Sequence, residues 1–418
     1  MCIRDRLVNY AVGRSFARDT NYKLSKRSLL IFGIVFNVAL LGYFKYVDFF
    51  LENFNGIFGS SIPLPHIALP LAISFFTFQQ IAYLVDSYRG ETKEYDFLNY
   101  AIFVTFFPQL IAGPIVHHKE MMPQFASRWN KVKNYKNIAL GLFIFSIGLF
   151  KKVVIADTFA IWATAGFDSV TTLSLFEAWA TSLSYTFQLY FDFSGYTDMA
   201  IGAALLFNIK LPINFNSPYK ATNIQDFWRR WHITLSRFLR EYIYIPLGGN
   251  KVSIGRNYLN LFSVFLIGGL WHGASWMFVI WGAMHGTAMV LHRIWQQLGF
   301  TMNTLLAWFI TFNFINITWV FFRAKEMEDA LKVLGGMFGF EPVGNLASMV
   351  QFGNVDKITF LTILVVFCIA AASFFFKNST QNIKQFKATK KIALFQFSYI
   401  DYESYGNNRS QKCNVYIR

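Results

Sequence analysis

The chain has 418 residues, of which 54% are hydrophobic and 15% are charged, and its mean hydropathy is +0.35. This apolar composition excludes an ordinary water-soluble domain and is typical of a protein that crosses the membrane several times. The net charge of +15 does not indicate a nucleic-acid partner, because the basic residues are scattered between apolar runs, as they are in the cytoplasmic loops of membrane proteins.

Apolar runs long enough to enter a bilayer follow one another along most of the chain. Hydrocarbon requires every backbone polar group to be hydrogen-bonded, and these runs do not alternate as barrel strands do. We therefore predict an all-α polytopic membrane protein, a helical bundle with about eight or nine membrane segments. The runs cover residues 29–51, 67–85, 97–116, 138–165, 175–207, 258–281, 282–295, 304–322 and 358–376.

The third run contains residues that interrupt a simple membrane helix. Pro108 and Pro114 break it, and a basic loop at 117–137 follows. If the run crossed the bilayer completely, this loop would lie outside the cell, against the tendency of basic loops to remain in the cytoplasm. We therefore expect a re-entrant or partly buried passage.

Two further runs contain charged residues, which are unfavourable in hydrocarbon unless they are paired. Lys151 and Lys152 lie in the fourth run, and Asp192 and Asp198 lie in the fifth. Charged side chains within a membrane usually face the bundle interior and pair with one another. We expect these residues to form ion pairs with each other or with an arginine of the following loop.

Residues 210–256 form the longest stretch without a predicted membrane segment. The stretch is rich in arginine and aromatic residues, which indicates a cytoplasmic position. An amphipathic helix along the membrane surface would satisfy this pattern. Alternatively, the segment dips into the protein. Four of its residues would then meet the anionic part of a substrate at the cytoplasmic mouth: Trp228, Arg229, Arg230 and Arg237.

Two histidines are the candidates for chemistry. His272 stands among glycine, alanine and serine, which leave room beside it, while Trp271 and Trp276 supply apolar walls. A buried neutral imidazole can accept a proton from a hydroxyl group, although an interhelical hydrogen bond is the alternative role. His232 lies among arginines and tryptophans, where a solvated histidine at the membrane interface is the alternative to a position near the same pocket.

The other residues that could carry chemistry give weaker signals. His285 follows His272 by thirteen residues, which on one continuous helix is about 20 Å and a different face, so a packing or pore-lining role is expected. Three dispersed cysteines and the absence of a His-Glu-x-x-His motif predict neither a disulfide framework nor a metal site.

Several long motifs resemble the membrane-bound O-acyltransferase family, in particular its bacterial branch of alginate O-acetyltransferase-like polysaccharide acetylases. The resemblance covers roughly residues 9–397. It is carried by residues 70–83, 106–115, 148–157, 190–198, 225–250 and 319–324. The motif at 240–250, Arg-Glu-Tyr-Ile-Tyr-Ile-Pro-Leu-Gly-Gly-Asn, favours this branch over its sister branch, the D-alanyl transfer proteins of teichoic acid modification.

The resemblance implies a tunnel through the helical bundle with His272 at its centre as the base and His232 as the second catalytic position, on the cytoplasmic side. Trp271 would contact the substrate. The acyl donor would be acetyl-CoA or another cytoplasmic thioester, with no bound cofactor or metal. In this branch the acetyl group passes across the inner membrane to a periplasmic partner protein, with an exported polysaccharide such as alginate as the final acceptor.

Two non-enzymatic functions remain as alternatives: a transporter that uses the same cavity, and a scaffold for a polysaccharide-modifying complex. We expect one membrane domain over residues 7–397. Residues 1–6 show no helix signal and relatives begin with further apolar helix, so an N-terminal truncation is expected. The polar tail at 398–418 is expected to be disordered or artefactual.

Overall fold

The computed structural model describes residues 2–17, 25–92, 96–110, 113–340, 352, 357–372 and 378–386. These residues form helices joined by turns and irregular segments, with no strand among them, which confirms the all-α fold. The first half contains α1 (Cys2–Ala17), α2 (Lys26–Leu41), α3 (Val47–Phe58), α4 (Ile73–Tyr88), α5 (Phe97–Thr105), α6 (Phe107–Leu110), α7 (His118–Ala126), α8 (Tyr135–Phe150) and α9 (Asp157–Thr164). A π-helical turn, Gly42–Tyr46, joins α2 to α3.

The second half begins with the longest helix. It contains α10 (Leu175–Leu206), α11 (Ile224–Trp228), α12 (Ile233–Leu239), α13 (Ile254–His272), α14 (Trp276–Gln297), α15 (Thr304–Arg323), α16 (Met327–Met337), α17 (Lys357–Ala372) and α18 (Ser379–Gln385). Within the described ranges, three continuous helical segments have the length and apolarity of a membrane span: Lys26–Phe58, Tyr135–Ser169 and Thr304–Arg323. The larger number of eight or nine segments stays a prediction.

Glycine residues bring α8 and α10 into close contact. A methyl group on Gly148 would lie 2.5 Å from the carbonyl oxygen of Gly195, and one on Gly141 would lie 2.7 Å from that of Gly202. Both pairs repeat at an interval of seven residues, or about two helical turns, so they lie on one face of each helix. Without a hydrophobic driving force between helices in lipid, such close backbone packing holds the pair together.

The predicted charge pairs form between the same two segments of chain. Lys151 lies 2.7 Å from Asp198, and Lys152 lies 2.7 Å from Asp192. Both lysines belong to the π-helical turn that links α8 to α9, while both aspartates project from α10. The prediction of intramolecular ion pairs is confirmed for these four residues.

The structure corrects the predicted boundary between the sixth and seventh runs. The division at residues 281 and 282 is wrong, because the chain breaks earlier, at residues 273–275. Gly273 is extended, and the Ser275 side chain caps α14 by accepting a hydrogen bond from the backbone N–H of Met277. His272 and His285 therefore lie on two different helices and not on one continuous helix.

The structure also bears on the predictions for residues 1–6 and for the third apolar run. The expectation that residues 1–6 lack helix is wrong for the described residues, since α1 begins at Cys2. The third run is broken, as expected: α5 ends at Thr105, so its nine residues are too short to cross the hydrocarbon core. The tail at 398–418 lies outside the described residues.

The glycine contacts predict that Gly195→Ala destabilises the protein. The new methyl group would lie 2.7 Å from the carbonyl oxygen of Gly148, so α8 and α10 must separate. We expect a loss of about 1–3 kcal/mol, read as a lower melting temperature of the detergent-solubilised protein. Gly255→Ala is the control, because that helical glycine faces open space. Equal melting temperatures for the two variants would show that the close contact contributes nothing.

Candidate active site

His272 is the last residue of α13 and is half-buried among aromatic rings. Its imidazole lies 5.1 Å from the ring of Trp281 and 5.0 Å from that of Phe322, and 4.9 Å from its neighbour Trp271. Neither ring nitrogen forms a hydrogen bond with a described residue. The imidazole therefore has both nitrogens unoccupied by described residues within an aromatic enclosure.

The end of α13 is held by two residues from the opposite end of the sequence. The Lys45 ammonium donates to the backbone carbonyls of Trp271 and His272, the latter at 3.0 Å, and the Tyr46 hydroxyl donates to that of Leu270. These carbonyls belong to the last turn of the helix and lack partners within it. A cation at a helix C-terminus is also favoured by the helix dipole. Lys45 and Tyr46 thus fix the backbone that carries His272.

Sequence reasoning did not single out these two residues, although one signal was present. Lys45 is a lone cation within the apolar run at residues 29–51. An ionisable residue within a predicted membrane segment indicates a functional or structural partner. Its partner could not be read from the sequence, since it is the backbone of a helix end more than 220 residues away in the chain.

His232 is buried, with 1% of its surface exposed, so the alternative of a solvated interfacial histidine is wrong. Its backbone is left-handed, with φ of 42°, immediately before α12. Its Nδ1 lies 3.2 Å from Oδ1 of Asn214. The same Oδ1 accepts the backbone N–H of Thr234, which fixes the orientation of the amide. The imidazole must therefore donate from Nδ1, which leaves a lone pair on Nε2.

Nε2 of His232 is buried and has no hydrogen-bond partner within the described chain. Burial lowers the pKa of His232 to about 3, so the ring is neutral at physiological pH. His232 and His272 both lie against the indole of Trp271, at ring distances of 6.3 Å and 4.9 Å. The fold thus brings together three of the predicted site residues, with unpartnered imidazole nitrogens on both histidines.

His285 has a different environment, although it is also completely buried. Trp228 donates its indole N–H to Nδ1 of His285 at 3.2 Å, so Nε2 carries the proton and donates to the hydroxyl of Thr318 at 3.1 Å. That hydroxyl in turn donates to the carbonyl of Ile315. Both nitrogens of His285 are therefore occupied, which agrees with the expected packing role.

Two of the three arginines predicted to bind the substrate are engaged within the protein. Arg237 forms a bidentate pair with Glu120, at 2.6 and 3.1 Å, and Arg230 pairs with Asp226 at 2.9 Å. Arg229 is exposed. The segment consists of short helices with buried aromatic side chains, so the alternative of one amphipathic surface helix is wrong. Substrate binding by Trp228 and these three arginines stays a prediction.

Comparison with known proteins identifies the family of the chain. The profile of the membrane-bound O-acyltransferase family matches residues 69–324, which include His232, His272 and the aromatic residues around them. The chain belongs to the membrane-bound O-acyltransferase family. The resemblance inferred from the sequence motifs is confirmed, and the protein is an acyltransferase.

Individual members of the O-acyltransferase family differ in the polymer that their names record. The chain is 60% identical to a peptidoglycan O-acetyltransferase of Helicobacter pylori over 80% of its length and 69% of that protein. It is 43% identical to a probable alginate O-acetylase of Pseudomonas aeruginosa over 79% of its length and 64% of that protein. It is 27% identical to a teichoic acid D-alanyltransferase of Bacillus subtilis over 62% of its length and 69% of that protein.

The contacts of Lys45 predict that Lys45→Met slows acyl transfer. The variant leaves two helix-end carbonyls without their donor, and a displacement of His272 by about 1 Å is enough to reduce kcat by up to about a hundredfold. We expect at least a tenfold lower kcat with a nearly unchanged donor KM, measured as acyl transfer by the purified protein. Lys45→Arg should recover part of the rate. A Lys45→Met enzyme with the wild-type kcat would contradict a positioning role.

Proposed function

We propose that this acyltransferase moves an acetyl group from a cytoplasmic thioester across the inner membrane for O-acetylation of an exported polysaccharide. The free imidazole of His272, held at the end of α13 within an aromatic enclosure, is the observation that carries the proposal. Peptidoglycan is the favoured polymer, because the relative at 60% identity is named for it, ahead of alginate, for which relatives at 40–43% identity are named.

In the proposed reaction, His272 accepts the proton of the acceptor hydroxyl as the oxygen attacks the thioester carbonyl. The carbon–sulfur bond breaks, the new ester forms, and the thiolate takes the proton from the imidazole. The reaction therefore consumes no net proton and needs no oxidant or metal. The rings of Trp271, Trp281 and Phe322 limit the access of water, which would otherwise hydrolyse the donor.

His232 is proposed to assist from the cytoplasmic side of His272. Its Nδ1–H is held by Asn214, so its Nε2 can only accept a hydrogen bond. It can orient a donor N–H, a water molecule or the His272 ring, and its low pKa keeps it uncharged while it does so. The donor is proposed to be acetyl-CoA or another acyl thioester, with a periplasmic partner protein that completes the transfer to the polymer.

The decisive variant is His272→Ala in a deletion strain, compared with wild type and with His66→Ala. Loss of a general base costs about 10²–10⁴ in rate, so we expect polysaccharide acetylation to fall to the level of the deletion strain. His66 is an exposed histidine outside the helical core, and His66→Ala should acetylate normally. The measurement is the ester-linked acetyl content of peptidoglycan and of exported polysaccharide, at equal amounts of membrane protein.

The other outcomes separate the alternatives. Normal acetylation by His272→Ala would contradict the acyltransferase mechanism and favour a transporter or a scaffold. Ester-linked D-alanine in place of acetate would place the protein in the sister branch. Acetate found in exported polysaccharide but not in peptidoglycan would support the acetyl-transfer reaction. It would show that the acceptor polymer is an exported polysaccharide other than peptidoglycan.

A further inference from the structure

A surface segment at residues 128–136 combines exposed cations with exposed aromatic side chains. It consists of a 3₁₀ turn, Arg128–Lys131, and the residues that lead into α8. Trp129 is 84% exposed, Tyr135 is 76% exposed, and Val132 between them is also exposed. We call residues 128–136 the basic–aromatic segment. Its exposed cations are Arg128, Lys131, Lys133 and Lys136.

The described chain does not neutralise these charges. None of the four cations forms an ion pair with a described residue, and the sequence has no aspartate or glutamate between Glu120 and Asp157. Glu120 itself is engaged by Arg237. Lys210 adds a fifth exposed cation nearby, because its backbone exchanges two hydrogen bonds with the side chain of Gln124. A positive potential therefore remains at this surface.

The basic–aromatic segment is attached to the helical bundle through Asn208. The side-chain amide of Asn208 donates to the carbonyls of Asn130 and Val132, at 3.1 and 2.8 Å. Its oxygen accepts from the side chain of Asn137 at 3.0 Å. These bonds fix the backbone on both sides of the exposed side chains, so the cations and aromatic rings project from an ordered surface.

The basic–aromatic segment lies where the chain enters the membrane. Its Tyr135 is the first residue of α8 and of the apolar helical segment Tyr135–Ser169, which is long enough to span a bilayer. Leu142 lies two turns further on the same face of α8 and is exposed, as expected of a side chain that faces lipid. The exposed ring of Phe207, next to Asn208, belongs to the same part of the surface. The cations are therefore placed at the level of the lipid headgroups.

Anionic lipid fits both parts of this surface. Tryptophan and tyrosine favour the membrane interface, where the ring is buried and its polar edge stays hydrated. Clusters of four or more lysines and arginines at the cytoplasmic end of a membrane helix attract anionic headgroups. An acidic protein would also satisfy the charges, but the start of a membrane helix is surrounded by headgroups in any case, so lipid phosphate is the favoured partner.

We propose that the basic–aromatic segment binds anionic phospholipid of the cytoplasmic leaflet. The lipid phosphates lie among the cations, and the rings of Trp129 and Tyr135 lie between the headgroups and the acyl chains. The inference goes beyond the proposed function, because none of these residues belongs to the candidate active site. Bound lipid would hold the start of α8, the helix that packs against α10 through Gly141 and Gly148.

The test uses the full chain in an uncharged detergent, with phosphatidylglycerol as the anionic probe and phosphatidylcholine as the zwitterionic one. Native mass spectrometry measures lipid binding, and the melting temperature is followed in the same samples. Lys131→Gln/Lys133→Gln removes two charges and Trp129→Ala removes the indole, all at exposed positions. The matched control is Lys251→Gln/Arg256→Gln, which removes two exposed cations beside the start of α13.

We expect the wild type to bind phosphatidylglycerol at least about tenfold more tightly than phosphatidylcholine, to melt at a higher temperature with it, and to bind it less tightly at high salt. Lys131→Gln/Lys133→Gln should weaken this binding by about tenfold or more, since one basic residue near an anionic surface contributes about fivefold. Trp129→Ala should weaken it by several-fold, and the control variant should stay within about twofold of wild type. Soluble glycerol 3-phosphate should not displace the lipid, because it has no acyl chains.

An equal loss of phosphatidylglycerol binding in the control variant would overturn the proposal, because the attraction would then belong to the overall positive charge of the protein. Displacement of the lipid by glycerol 3-phosphate would overturn it as well and leave a site for free phosphate. Unchanged lipid binding by Lys131→Gln/Lys133→Gln, together with lost polysaccharide acetylation in cells at a normal protein level, would assign the segment to an acidic protein partner instead.

Discussion

The need to pair every polar group inside an apolar bundle determines most of this structure. Lys151 meets Asp198, Lys152 meets Asp192, and the carbonyls at the end of α13 meet Lys45 and Tyr46. Each of these contacts joins segments that are distant in sequence. The hydrogen bonds and ion pairs that satisfy the buried polar groups therefore also fix how the helices are arranged. Among the described residues, Nε2 of His232 stays buried without a partner, and its ring lies against Trp271.

Three histidines illustrate how neighbours, and not residue type, decide a role. His285 has both nitrogens occupied, by Trp228 and Thr318, and serves the packing of α14 against α11 and α15. His232 has one nitrogen occupied, and the proton on it is fixed by Asn214. The imidazole of His272 has no partner in the described chain, while its backbone is held firmly. The number of imidazole nitrogens without a partner among the described residues thus increases from His285 to His232 to His272.

The sequence predicted the features that depend on composition or on local motifs. The all-α class followed from long apolar runs, the ion pairs followed from charges within them, and His232 and His272 stood out because imidazoles are costly in such surroundings. Contacts between distant segments could not be predicted in this way. Neither the capping of α13 by Lys45 nor the hold of Asn214 on His232 leaves a periodic signal in the sequence.

The misplaced boundary of α13 has a similar origin. Gly273, Ala274 and Ser275 suit close helix packing as well as a helix end, and only the extended backbone and the Ser275 cap distinguish the two. The break has a large effect, because it turns one long helix into a hairpin. His272 and His285 then both lie against Trp281, with ring distances of 5.1 Å and 4.6 Å.

The left-handed backbone of His232 narrows the choice of amino acid at this position. Glycine, asparagine, aspartate and histidine are the residues most enriched in this conformation, and branched side chains are strained in it. Of these residues, a charged aspartate is disfavoured because position 232 is buried, and glycine offers no side chain. The backbone geometry at residue 232 therefore favours histidine and asparagine, independently of any demand of catalysis.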